Sequence, residues 1–147
     1  MPAVSEVEAA LYELAPRELA QSWDNVGLLV GDPTSQVSSV LVALDVTQEV
    51  AEEAAKRGCG LIVAHHPLMN CAWSPVQSVR TDQTQGKLIT TLIQNGISAI
   101  CMHTNLDSAS GGVNDALAAA LGLKDIAPLS EDGIGRIGTL DQEMTLE

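Results

Sequence analysis

Apolar residues along this chain fall in two rhythms, and the alternation between them predicts an α/β fold. Residues 39–46 (SVLVALDV), 60–64 (GLIVA) and 97–102 (ISAICM) are short, nearly continuous runs of mostly apolar side chains, the first of them rich in branched residues. Such runs suit strands buried on both faces of a parallel sheet, where no alternation with polar residues is needed. Between them the spacing turns helical. Residues 48–57 place Glu49, Glu52 and Glu53 early and Lys56 and Arg57 late, matching the helix dipole, with Thr47 as cap and Gly58 as stop. Residues 85–94 carry Leu88, Ile89, Leu92 and Ile93 at helical spacing and end at Asn95 and Gly96.

The flanks are read in the same way. Residues 5–20 put Val7, Leu11 and Leu14 on one helical face, with Ser5 as N-cap and Pro16 as a break. Residues 28–30 form a short strand closed by the turn signal Gly31, Asp32, Pro33. Residues 68–83 show no period and read as a loop, 113–121 as a helix with Val113, Leu117 and Leu121 on one stripe, and 134–140 as one more strand. The expected architecture is α/β, a largely parallel sheet flanked by helices with right-handed crossovers. A length of 147 residues suits one core, so residues 1–147 are expected to form a single domain.

With no Phe, the core must be built from Leu, Ile, Val, Ala and Met. A net charge of −12 and no basic run longer than Lys56 and Arg57 argue against direct nucleic-acid binding, which rests on clustered cations. Cys59, Cys71 and Cys101 are odd in number and form no C-x-x-C pair, which disfavours a disulfide framework and a thiolate zinc site and suggests a reducing compartment. Residues 1–20 lack a basic segment followed by an apolar stretch, and no apolar run approaches the ~18 residues of a membrane span. A soluble, cytoplasmic protein is expected.

Asp45, the pair His65 and His66, and His103 each stand at the C-terminal end of a predicted parallel strand, the edge where open α/β sheets bind ligands. All three histidines of the chain are placed there. The segment His103 to Asp107 (HTNLD) offers an imidazole and a carboxylate four residues apart, a ligand pair for divalent ions. One histidine at a strand end is more often a structural residue; coincidence at matching strand ends is what points to a site. In extended backbone His65 and His66 would face opposite sides, which suggests two metals rather than one. Asp107 could bridge two such ions ~3.5 to 4 Å apart. The expected metal ligands are therefore His65, His66, His103 and Asp107, around two divalent cations of the Zn, Fe, Mn, Co or Ni type.

Other candidates keep two readings each. Asp45 is either a turn or capping residue or a partner that orients a histidine. Thr104 and Asn105 either donate to a substrate or stabilise their own turn. Gly111 and Gly112, followed by Val113 and Asn114, form either an anion site at a helix start or a tight turn. Gly86-Lys87 lacks the upstream glycine of a phosphate loop, and no serine or cysteine sits in a nucleophile elbow.

The segments WDNVGLLVGDP (23–33), ALDVT (43–47), IVAHHPL (62–68) and HTNLDSASGGVNDALAAALGL (103–123) resemble the NGG-one-interacting-factor-three-like family, the GTP cyclohydrolase I type two homologues. The resemblance runs from about residue 5 to the C-terminus and covers the N-terminal half of the family pattern. It implies that His65 and His66 each reach a metal, that Asp107 is a carboxylate ligand, and that His103 lies in or beside the ligand set. It also implies one half of a fold whose two related halves enclose a dinuclear site, and ring-like homo-oligomers, often hexamers. Such proteins supply a further His and Glu from their C-terminal half, whereas this chain has no histidine after His103. The implied function is metal-dependent hydrolysis of a small molecule, with GTP-cyclohydrolase-like ring opening suggested by resemblance alone. The alternatives are a non-catalytic metal-binding or regulatory interaction protein, and a truncated half without independent function.

Overall fold

The branched apolar runs do become strands, as seen in a computed structural model that describes residues 1–69 and 75–143. Strands β1 (Gly27–Val30), β2 (Val40–Ala43), β3 (Leu61–Ala64) and β4 (Ser98–Cys101) form one sheet in the order β1-β4-β3-β2. β2, β3 and β4 are parallel and β1 runs antiparallel to β4. The sheet is thus largely parallel, as expected, with one antiparallel edge. Helices α1 (Val4–Leu14), α2 (Gln48–Arg57) and α3 (Thr84–Gln94) flank it, and the short α4 (Thr104–Ser108) and then α5 (Val113–Ala120) come after β4. A hairpin of β5 (Lys124–Pro128) and β6 (Arg136–Thr139) comes last, its first strand unforeseen in the sequence.

Two apolar clusters sandwich the sheet. Ala51 and Ala54 of α2 and Leu88, Ile89 and Leu92 of α3 pack with Ile62, Ala64 and Ala99 on one face. Val4 of α1 packs with Leu61, Ile100 and Met102 on the other. Each fully buried Leu or Ile contributes about 1.5–3 kcal/mol, so these faces hold the strand ends in place. α2 is bounded as expected: Thr47 Oγ1 accepts from Val50 N at 3.2 Å, and Gly58 closes the helix at φ 68°, a left-handed conformation that favours glycine.

Four local expectations fail. β2 is an edge strand with one uncovered face, so Val42 is 78% exposed rather than buried on both sides. Leu14, at the end of α1, overhangs the same uncovered region and is exposed. Ser5 lies inside the first turn of α1, because the chain enters through a bridge between Ala3 and Gln36, and Ala3 N–H donates to Glu6 Oε2 at 2.7 Å. On α5 the buried residue is Ala118, and Leu117 and Leu121 are exposed. Cys71, the middle of the expected 68–83 loop and residues 144–147 lie outside the described residues. Among the described residues, no helix is long and apolar enough to cross a membrane.

Candidate metal centre

β3 and β4 are neighbours in register, Ala64 opposite Cys101, so the residues just beyond each strand emerge at the same edge of the sheet. The backbone bends at His65 and His66, both of whose N–H groups donate to Leu44 O, at 3.2 and 2.9 Å. That bend removes the premise that the two rings must face opposite sides. They lie 5.0 Å apart between centroids, and each also approaches the His103 ring, at 5.1 and 5.7 Å. One ring nitrogen from each of His65, His66 and His103 can be chosen so that all three lie within 4.8 Å of one another.

The free nitrogens are identified by what the others do. His65 Nδ1 bonds to Met102 O at 2.9 Å, His66 Nδ1 to Asp45 Oδ1 at 2.8 Å, and His103 Nδ1 to Asp24 Oδ1 at 3.0 Å. A carbonyl or carboxylate only accepts, so each Nδ1 carries the proton and each neutral ring keeps its Nε2 lone pair for another partner. This is the arrangement that metal-binding histidines use. Ligands of a tetrahedral zinc, at ~2.0–2.1 Å from the ion, stand roughly 3.4 Å apart, and the three histidines bring one nitrogen each within 4.8 Å of the others. Asp107, on α4, puts Oδ1 3.7 Å from His65 Nε2, at the rim of the same cluster.

Asp24, whose side chain is fully buried, carried no local sequence signal of a role. Its carboxylate also accepts from Asn25 N at 2.7 Å, Thr104 N at 3.0 Å and Thr104 Oγ1. Burial by itself pushes this carboxyl up, but the bonds from the Thr104 hydroxyl, His103 and the two backbone amides outweigh it and hold it below the usual carboxylate range. The available signal was topological: β1 is antiparallel to β4 with Gly27 opposite Cys101, so a residue three positions before Gly27 lies beyond the C-terminal end of β4.

Each remaining candidate settles on one role. Asp45 orients His66. Thr104 Oγ1 is occupied by Asp24 and by Gln21 N at 2.9 Å, and the fully buried Asn105 joins His103 N (3.0 Å) to Ala15 O (2.8 Å), so both hold the turn. At the start of α5, Gly111 N donates to Asp115 Oδ2 at 2.6 Å, so the chain's own carboxylate takes the position considered for an anion. Gly112 packs so closely on Leu106 O that a Cβ there would collide with it. Cys101 Sγ donates to His65 O at 2.8 Å beneath the cluster. Beside His65 runs an apolar groove of about 160 Å³, lined among others by Leu11, Leu14, Val42, Val63 and Leu106.

Residues 2–147 match a family model described as Duf34/NIF3 (NGG1p interacting factor 3). A GTP cyclohydrolase 1 type 2 homolog of Streptomyces coelicolor is 42% identical over 154 residues, covering 99% of this chain and 53% of the relative. Among solved structures, a Bacillus cereus protein related to NIF3 superposes with a TM-score of 0.82 at 42% identity, over 88% of this chain and 35% of that one. Reduced HcgD from Methanocaldococcus jannaschii superposes with a TM-score of 0.85 at 33% identity, over 93% and 54%. The chain spans about half the length, or less, of the curated relatives it matches.

Proposed function

The chain belongs to the Duf34/NIF3 family, and on that premise we propose that it is a divalent-metal-binding protein in which His65, His66, His103 and Asp107 hold two cations for hydrolysis of a small molecule, the number of ions resting on the family resemblance and not on the orientation of His65 and His66. The observation that carries the reading is the shared engagement of the three Nδ1 atoms, which leaves three Nε2 lone pairs, that of His65 lying 3.7 Å from Asp107 Oδ1. Imidazole and carboxylate ligation suits Zn, Fe, Mn, Co or Ni. When bound, such an ion supplies Lewis acidity and an acidified water.

The chain's own residues prepare the site. Met102 O and Asp45 engage the Nδ1 atoms of His65 and His66, and Asn105 clamps the turn that carries His103 and Asp107. Asp107 has two oxygens, enough to span two cations. Hydrolysis as the reaction rests on the relatives' description, GTP cyclohydrolase 1 type 2 homolog. A homo-oligomer in a reducing cytoplasm completes the proposal, supported by the uncovered apolar residues Val42 and Leu44 and the buried thiols Cys59 and Cys101.

A non-catalytic metal-holding or regulatory role is the second reading, favoured by the apolar groove beside His65, which offers a partner a surface. The test is metal analysis of the purified chain, zinc titration of wild type and His66→Ala, and turnover on a panel of nucleotides and phosphoesters. Two ions per chain, lost in His66→Ala together with turnover, is the expected result. Retained metal without turnover selects the second reading, and no metal uptake by the wild type overturns both.

A further inference from the structure

The three histidines are not held alike. His65 donates to a backbone carbonyl, His66 to an aspartate whose side chain is 53% exposed, and His103 to one whose side chain is 0% exposed. We propose that Asp24 is the positioning residue that fixes the tautomer and orientation of His103, through a carboxylate whose accepting positions are all committed. The inference rests on the metal-binding reading of the same cluster.

Asp24 Oδ1 faces His103 Nδ1 and Asn25 N, and Oδ2 faces Thr104 N and Thr104 Oγ1. Gln21 N donates to Thr104 Oγ1, so that hydroxyl's one proton is directed at Asp24. Four donors converge on one buried carboxylate, which therefore has no freedom to rotate or to donate. His103 must present its Nδ1 proton to Asp24 and its Nε2 lone pair to the cluster. Trp23 packs edge-on at 6.2 Å from the same ring. Asparagine at position 24 cannot reproduce this, because its amide nitrogen would face a donor wherever it pointed.

The experiment has a metal-free arm and a zinc arm. Long-range ¹H–¹⁵N NMR of histidine-labelled, metal-free protein reads the His103 tautomer directly, and chelator competition reads zinc affinity in wild type, Asp24→Asn and Asp45→Asn. The wild type is expected to show a single Nδ1–H tautomer at His103, lost in Asp24→Asn. Zinc affinity is expected to fall about 10- to 100-fold in Asp24→Asn. Asp45→Asn, whose partner pair is exposed to water, should lose less than about fivefold. An Nε2–H tautomer in the wild type, or unchanged zinc affinity in a folded Asp24→Asn, overturns the inference. If Asp24→Asn does not fold, the wild-type spectrum and Thr104→Val, which removes one of the four donors and loosens the carboxylate while leaving it an acceptor, decide it: a retained Nδ1–H tautomer with weaker zinc binding in Thr104→Val supports it, and an Nε2–H tautomer in the wild type or zinc affinity unchanged in Thr104→Val overturns it. Wild-type protein that binds no zinc yet shows the Nδ1–H tautomer defeats the metal reading alone.

Discussion

Asn105 is the residue on which the site's geometry leans most, and replacing it with alanine gives a magnitude that can be worked from the structure. Its side chain is fully buried and bonds at both ends, accepting from His103 N at 3.0 Å and donating to Ala15 O at 2.8 Å. Asn105→Ala leaves that amide hydrogen and that carbonyl buried without these partners. Each orphaned group costs about 1–3 kcal/mol, for a loss of about 2–5 kcal/mol once entering water has relieved part of it. In a chain of this length the melting temperature should fall by on the order of 10 °C. Denaturant unfolding of the metal-free protein is the assay, with Asn114→Ala as comparison. Asn114 makes a single part-buried bond, Nδ2 to Asp107 O at 2.9 Å, and should cost about 1 kcal/mol. An Asn105→Ala protein within about 0.5 kcal/mol of wild type would refute the idea that this side chain clamps α1 to the His103 turn.

The same packing leads to further outcomes. Leu92→Ala, at a fully buried position on α3, should cost about 2–5 kcal/mol, whereas Ile93→Ala, one residue on and 60% exposed, should stay within about 0.5 kcal/mol, both read by denaturant midpoints. The Asp24 carboxyl is held below its ordinary value in the folded chain, so its contribution is present above the unfolded value near ~3.9 and is lost as pH falls through the lower folded value. Asp24→Asn should therefore flatten the acid side of the stability profile, and an unchanged slope would contradict this. Arg136, whose side chain is 8% exposed, pairs with Asp115 and donates to Gly133 O, Gly135 O and Ala109 O. Arg136→Met should loosen the β5–β6 hairpin, seen as faster amide hydrogen exchange in residues 124–139 while β3 and β4 remain protected.

The β-α units were legible because burial and helix ends leave local marks: short apolar runs for β3 and β4, and Thr47, Glu49, Lys56, Arg57 and Gly58 for α2. The same logic located His65, His66 and His103 at one sheet edge, since parallel neighbours in register deliver their next residues to one place. What failed depended on contacts distant in sequence. The apolar run around Val42 reads as buried on both faces, but whether a face is covered is decided by other elements, and here it is open. Adjacent histidines point apart only in extended backbone, and the bend that brings them together is stabilised by Leu44 O, from a distant part of the chain. Asp24 is separated from His103 by 79 positions, and only the antiparallel placement of β1 beside β4 brings them into contact.

The most direct test of the proposed centre is an X-ray experiment on crystals soaked in zinc, with anomalous difference maps on either side of the zinc edge. The account predicts anomalous peaks ~2.0–2.1 Å from the Nε2 atoms of His65, His66 and His103, with an Asp107 oxygen at a similar distance. Peaks elsewhere on the surface, with the three imidazoles and Asp107 left without an ion, would contradict it.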